Sequence, residues 1–151
     1  MSNYVSALRL PAGEQAAWRG FLRAHAALTR ELDAELVAAH RLPLTSYEVL
    51  LEVGHAPHGR MRMSELADRV RLSRSGLTRL VDRLARDGVI ERMPCRDDAR
   101  GWFAALTPEG RRLLEEARAT HHDGVRRLFV AQLSADELAM LGDCFARLCE
   151  G

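Results

Sequence analysis

A mainly α-helical chain carrying one small β-hairpin is the fold class that the sequence predicts, and three neighbouring stretches predict it. The first runs from Ser73 to Leu84. Read as a helix, it places Leu77, Leu80, Val81 and Leu84 at i, i+3, i+4 and i+7, which makes one buried stripe. Ser75, Thr78, Arg79 and Asp82 repeat that spacing on the opposite face. The second stretch, Ser64 to Val70, reads as a short helix with Ser64 as its cap, Glu65 in its first turn, and Leu66, Ala67 and Val70 facing inward. Only Arg71 and Leu72 link it to the next helix, so the pair is a helix-turn-helix candidate. The third stretch follows the stop signal Asp87-Gly88, where glycine suits a left-handed position just past a helix end. Val89 to Met93 and Trp102 to Leu106 read as two strands, joined by a polar turn from Pro94 to Gly101. Helix, turn, helix, then a hairpin with a charged tip is the order of a winged helix-turn-helix.

The flanks follow from the same periodicity. After a short lead, Ala12 to about His40 reads as one long helix, with Trp18, Phe21, His25, Leu28, Leu32 and Leu36 in a sustained stripe. A stripe this long rarely finds enough core inside so small a domain, which points to a helix of a second chain. Pro43 interrupts the pattern. Thr45 and Glu48 are spaced as a capping box for a buried helix over Tyr47 to Val53, and Gly54 to Gly59 is a loop by composition. Beyond the hairpin, Thr107 caps and Pro108 opens another helix, with Leu113, Leu114, Ala117, Val125 and Leu128 as its apolar positions. Gly124 marks a bend or a close approach within it. Ser134 and Glu137 form a second capping box before the seam of Leu138, Leu141, Phe145 and Leu148. The expected division is therefore a dimerisation helix over 1–41, a winged helix-turn-helix over 42–107 and dimerisation helices over 108–151, all in one compact unit.

Charge is unevenly placed. Between Arg60 and Arg100 there are eleven arginines to seven acids, whereas the rest of the chain has eleven to fourteen. The positive excess lies in the proposed reading head, as contact with nucleic acid requires. All 22 basic residues are arginine. Arginine also fills the segments outside the head, so that bias is compositional. No apolar run approaches the roughly 20 residues needed to span a bilayer, and Met1 to Leu10 has no apolar core of signal-peptide length. A cytoplasmic protein without membrane contact is the expectation. There is no phosphate loop, nucleophile elbow or paired metal-ligand motif, so neither an enzyme nor a cofactor is expected.

The residues expected to meet DNA are Ser73, Arg74, Ser75, Thr78, Arg79 and Arg83. A reading helix meets base edges with its N-terminal residues, and the positive end of its dipole lies near the phosphates. The helix holds no Asn or Gln, which leaves arginine to guanine, and hydroxyls to base or phosphate. Arg92 and Arg96 are further phosphate candidates. The partner implied is double-stranded DNA, read in its major groove by this helix.

These stretches resemble the multiple-antibiotic-resistance regulator (MarR) family. The resemblance rests on Ser64-Glu65-Leu66-Ala67, on Leu77 to Leu84, and on Asp87-Gly88-Val89-Ile90-Glu91-Arg92. The most specific blocks are Asp97-Asp98-Ala99-Arg100-Gly101 and Leu106-Thr107-Pro108-Glu109-Gly110. The resemblance implies a homodimeric regulator of transcription, often a repressor, often released by a small and frequently aromatic effector. It also implies that Arg100 at the wing tip enters the minor groove, oriented by Asp98, for which Asp97 could substitute. An effector pocket would lie where the head meets the dimer layer, with Trp18, Phe21, His25 and Tyr47 as its lining.

Other groups carry less. Cys95, Cys144 and Cys149 are too few for a disulfide framework. Some relatives sense peroxide through a cysteine in the N-terminal helix, and this chain has none before Cys95. A thiol-responsive regulator would have to use Cys95, beside Arg92 and Arg96. The six histidines, including His55, His58 and the pair His121-His122, form no metal-ligand spacing. A reading from another class is a winged helix that docks an acidic protein and has no DNA role.

Overall fold

The computed structural model describes residues 10–95 and 101–150. These residues form six helices in the expected order and a three-stranded sheet. Helix α1 spans Ala12–His40 and α2 spans Leu44–His55. A single 3-10 turn, Pro57–Gly59, leads into strand β1, Arg60–Arg62. Helices α3 (Met63–Arg69) and α4 (Arg74–Arg86) form the helix-turn-helix. Strands β2 (Ile90–Pro94) and β3 (Trp102–Leu106) form the hairpin. Helix α5 (Pro108–Leu128), a second 3-10 turn (Val130–Gln132) and α6 (Ala135–Cys149) complete the chain.

The sheet is antiparallel in the order β1-β3-β2, with Arg62 opposite Phe103 and Pro94 opposite Trp102. Strand β1 was not expected: composition marks 54–59 as a loop, and three residues are too few to show alternation. Their burial nonetheless alternates, with Met61 inside and Arg60 and Arg62 outside. The strand also moves the start of α3. Arg62 is held in the ladder against Phe103, so the helix begins directly at Met63. Ser64 therefore lies inside the first turn and is not the cap. The expected capping box of Thr45 and Glu48 is likewise absent. Helix α2 starts at Leu44 behind Pro43, and its first amide donates instead to Asp33 Oδ1 of α1 at 2.8 Å. Helix α2 also continues through His55, past the Gly54 where a loop was expected.

Other local signals behave as the sequence predicts. Ser73 Oγ accepts from the Gly76 amide at 3.0 Å, Thr107 Oγ1 from the Gly110 amide at 3.0 Å, and the Ser134–Glu137 capping box is closed in both directions. Gly88 has φ 75°, just past the end of α4. Gly110 shows why the fold needs a residue without a side chain there. A Cβ on it would fall 2.0 Å from the Val89 carbonyl oxygen, where α5 leaves the hairpin. Gly124 is a close approach and not a bend, because its Cβ would meet Leu32 Cδ2 of α1 at 2.7 Å.

One core unites α2, α3, α4, the sheet, the C-terminal end of α1 and the first half of α5. Leu50, Val53, Leu66, Leu77, Val81 and Ile90 lie at its centre, and Leu36 and Ala117 bring α1 and α5 to it. An Arg127–Glu35 ion pair also links α5 to α1. The two ends of the chain are different. Leu32 and Leu36 are buried, but Trp18 and Phe21 of the same stripe are 55% and 45% exposed. Helix α6 has no buried residue. No helix among the described residues is long and apolar enough to cross a membrane.

Candidate nucleic-acid interface

The N-terminal turn of α4 stands at the surface because its other face is the core stripe. Leu77, Leu80, Val81 and Leu84 are buried, so Ser73, Arg74, Ser75 and Arg79 are turned outward and exposed. The hydroxyls are already ordered. Ser73 Oγ lies 3.4 Å from Ser75 Oγ, and Thr78 Oγ1 donates to the Arg74 carbonyl at 2.9 Å. Arg74 and Arg79 have no carboxylate partner among the described residues, and two cations beside the positive end of a helix dipole favour an anion there.

The other two predicted arginines of the described head have different surroundings. Arg83 Nη2 reaches back to the buried Ser46 Oγ of α2 at 3.4 Å. Arg92 does not point freely outward, since its Nη1 donates to Asp82 Oδ1 of α4 at 2.7 Å and its guanidinium lies 5.1 Å from the centre of the Trp102 ring. Arg96, Asp98 and Arg100 at the wing tip lie outside the described residues. The described ends of the hairpin are joined, with the Cys95 amide donating to the Gly101 carbonyl at 2.9 Å.

The sheet adds two arginines that sequence reasoning missed. Arg60 and Arg62 alternate on β1, and their guanidinium carbons lie 5.2 and 5.6 Å from the Phe103 ring centre. The only available signal was the Arg-Met-Arg alternation, which gains meaning once β1 pairs with β3. Arg62, Arg74 and Arg92 then line one cleft of about 360 Å³ with Thr78, Gly101 and Trp102, between the start of α4 and the wing root. Asp82 and Trp102 are part of this site as well, and neither type suggests nucleic acid by itself.

The four residues expected to line an effector pocket are not brought together. Trp18, Phe21 and His25 form a chain of ring contacts on exposed α1, at 5.9 and 6.3 Å, and Phe21 meets Phe145 of α6 at 6.0 Å. Tyr47 is a core residue instead, 1% exposed and stacked on His121 at 4.7 Å between α2 and α5. Helix α2 turns it inward together with Leu50. Burial raises the Tyr47 hydroxyl above its ordinary pKa, with Arg118 opposing and Glu115 adding. Burial likewise lowers His121, and its neighbour His122 lowers it further. His25 borders a separate cleft of about 640 Å³ with Thr29, Glu48 and Arg69. Burial raises the Glu48 carboxyl there; His25 opposes that shift and Glu52 adds to it. Among the described residues no three His, Cys, Asp or Glu gather as metal ligands. Cys95 is buried, Cys144 half-buried and Cys149 exposed, all as free thiols.

Comparison with known proteins agrees with this geometry. The sequence model of the MarR family matches residues 41–101, from the start of α2 to the wing. The chain is 33% identical over 97 residues to the multiple antibiotic resistance protein MarR of Salmonella typhimurium, covering 64% of this chain and 66% of that protein. It is also 33% identical over 107 residues to the transcriptional repressor YetL of Bacillus subtilis, covering 68% and 63%. Each alignment thus spans slightly less than two thirds of the curated relative. Solved structures match over nearly the whole chain. A MarR family transcriptional regulator of Streptomyces coelicolor in complex with DNA superposes with a TM-score of 0.89 at 34% identity, covering 95% of this chain and 90% of that one. A second from the same organism, AbsC, gives 0.87 at 31%, covering 94% and 95%. The helix-turn-helix, the wing and the flanking helices together place this chain in the MarR family of transcriptional regulators.

Proposed function

We propose that this protein binds a pseudo-palindromic operator as a homodimer and represses transcription. The observation that carries this reading is the outward face of the first two turns of α4, where Arg74 and Arg79 have no carboxylate partner among the described residues and Ser73, Ser75 and Thr78 are ordered beside them. In this reading Arg79 and Arg74 enter the major groove, and the wing tip, with Arg100 oriented by Asp98, follows the adjacent minor groove. Arg83 and Arg96 contact backbone. The similar Streptomyces coelicolor structure contains DNA, which supports the same use of this head.

Residues 1–41 and 108–151 serve as the dimer layer around the reading head at 42–107. Exposed Trp18, Phe21, Met140, Phe145 and Leu148 support this division, since a second copy would cover them. An effector acts by binding one spacing of the two heads better than the other. The cleft beside His25 and Glu48 lies between α1 and the head, which suits that role. Cys95 is 6% exposed, so a thiol-based response is the weaker alternative.

The test is binding of the purified protein to DNA flanking its own coding region, with unrelated competitor, across a salt series. Binding that survives competitor with two protomers per site is expected, and log K should fall linearly with log salt. Equal weak binding to both DNAs would place the operator elsewhere or leave an acidic protein as the partner.

A further inference from the structure

We propose that Asp82, Arg92 and Trp102 form a strut that sets the wing against the reading helix, and that Arg92 is a positioning residue and not a phosphate contact. This inference rests on the DNA-binding reading above. The three residues come from three elements. Asp82 lies on the outward face of α4, Arg92 is in β2 and Trp102 is in β3. Arg92 bonds to Asp82 at 2.7 Å and lies against the Trp102 ring at 5.1 Å. Trp102 pairs with Pro94 at the last rung of the hairpin, beside the closing bond between Cys95 and Gly101. The strut therefore grips the last described rung of the hairpin, Pro94 opposite Trp102.

Two considerations favour geometry over charge. The pair neutralises one arginine and leaves a carboxylate on the face turned to DNA, which opposes what phosphate binding favours. A half-exposed ion pair of this kind adds little to folding stability, with the Asp82 and Arg92 side chains 41% and 30% exposed. What the arrangement does supply is an angle. One guanidinium nitrogen is held by the carboxylate and the guanidinium carbon lies over the indole, so helix and hairpin are tied through one side chain. A reading helix in one groove and a wing in the next can be engaged at once only when that angle is fixed.

The two roles predict opposite signs for Asp82→Asn. Removing a negative charge from a DNA-facing surface should tighten binding if Arg92 is thereby freed to meet phosphate. The strut predicts weaker operator binding, on the order of tenfold, with protection of the wing's minor groove lost and that of the major groove kept. Tighter binding with a steeper salt slope would overturn the proposal. Arg92→Lys separates the roles again, because it keeps the charge and loses the planar stack. The strut predicts the same loss as for Asp82→Asn, whereas near wild-type affinity would overturn it. Should Asp82→Asn fail to fold, Arg92→Lys carries the test.

A readout without DNA distinguishes this proposal from the reading it rests on. In a Trp18→Phe background Trp102 is the only indole. Its emission should shift on adding Asp82→Asn, and an unchanged spectrum would overturn the strut. A shifted spectrum in a protein whose wild type binds no DNA would refute the operator reading and leave the strut standing.

Discussion

The reading head and the two ends of the chain carry the same kind of apolar stripe and differ in what covers it. Leu77, Leu80, Val81 and Leu84 of α4 recur at helical spacing and are all buried. Phe145 and Leu148 of α6 recur likewise and are 38% and 77% exposed. Helix α1 contains both outcomes, buried at Leu32 and Leu36 and bare at Trp18 and Phe21. An apolar stripe shows that a helix has a partner, and it does not say whether the partner belongs to the same chain. The exposed stripes of α1 and α6 touch, with Phe21 against Phe145 at 6.0 Å, yet both rings stay more than a third exposed.

Four perturbations would break or sharpen this contrast, and the first has the largest effect. Leu77→Ala opens a cavity in the head and should cost about 2–5 kcal/mol of stability, read as a shift in the urea midpoint; a loss below half of that would mean the head core is looser than its burial implies. Phe145→Ala should leave the helical content of the head intact and weaken dimerisation by about 2 kcal/mol. Sedimentation would show this as a raised dissociation constant, and an unchanged one would remove the ends from the dimer layer.

Arg79→Ala touches neither kind of stripe and should cost about 1–3 kcal/mol of operator affinity with the melting temperature unchanged. An unaltered isotherm would sink the assignment of Arg79. The smallest effect concerns the joint between the two regions, where His121 of α5 stacks on Tyr47 of α2. Its Nδ1 is buried without a hydrogen-bond partner among the described residues, and burial lowers its pKa. The unfolded state therefore takes up the proton first as pH falls. Stability from the neutral ring is present above the ordinary imidazole pKa, about 6.5, and is lost as pH falls towards the lowered folded value. His121→Gln should flatten that part of the acid limb, and a limb identical to wild type would assign the loss to other groups.

Much of the head was legible because its signals are local. Ser73, Thr107 and Ser134 cap as their hydroxyls and spacings predict, and each capping bond spans three residues. The failures lie where a distant segment competes for a local group. Asp33 takes the Leu44 amide from eleven residues away, so α2 begins without the Thr45 cap. Pairing with Phe103, forty-one residues on, makes Arg62 a strand residue and displaces Ser64 from its cap. Of the candidate site, the exposed arginines of α4 were readable from one helix's periodicity. The binding of Arg92 by Asp82 and Trp102, and the inward turn of Tyr47 onto His121, were not, because each joins residues from separate elements.

The sequence by itself determined which residues form helices, which face of α4 turns outward and which family the chain resembles, since periodicity, capping and motif spacing are properties of short runs. The tertiary structure alone decided that β1 exists, that Arg60 and Arg62 flank Phe103, and that Arg92 is committed to a carboxylate and an indole. It decided these because an edge strand, a cation over a ring and an interelement ion pair are defined by the approach of distant backbone, and no local pattern specifies that approach.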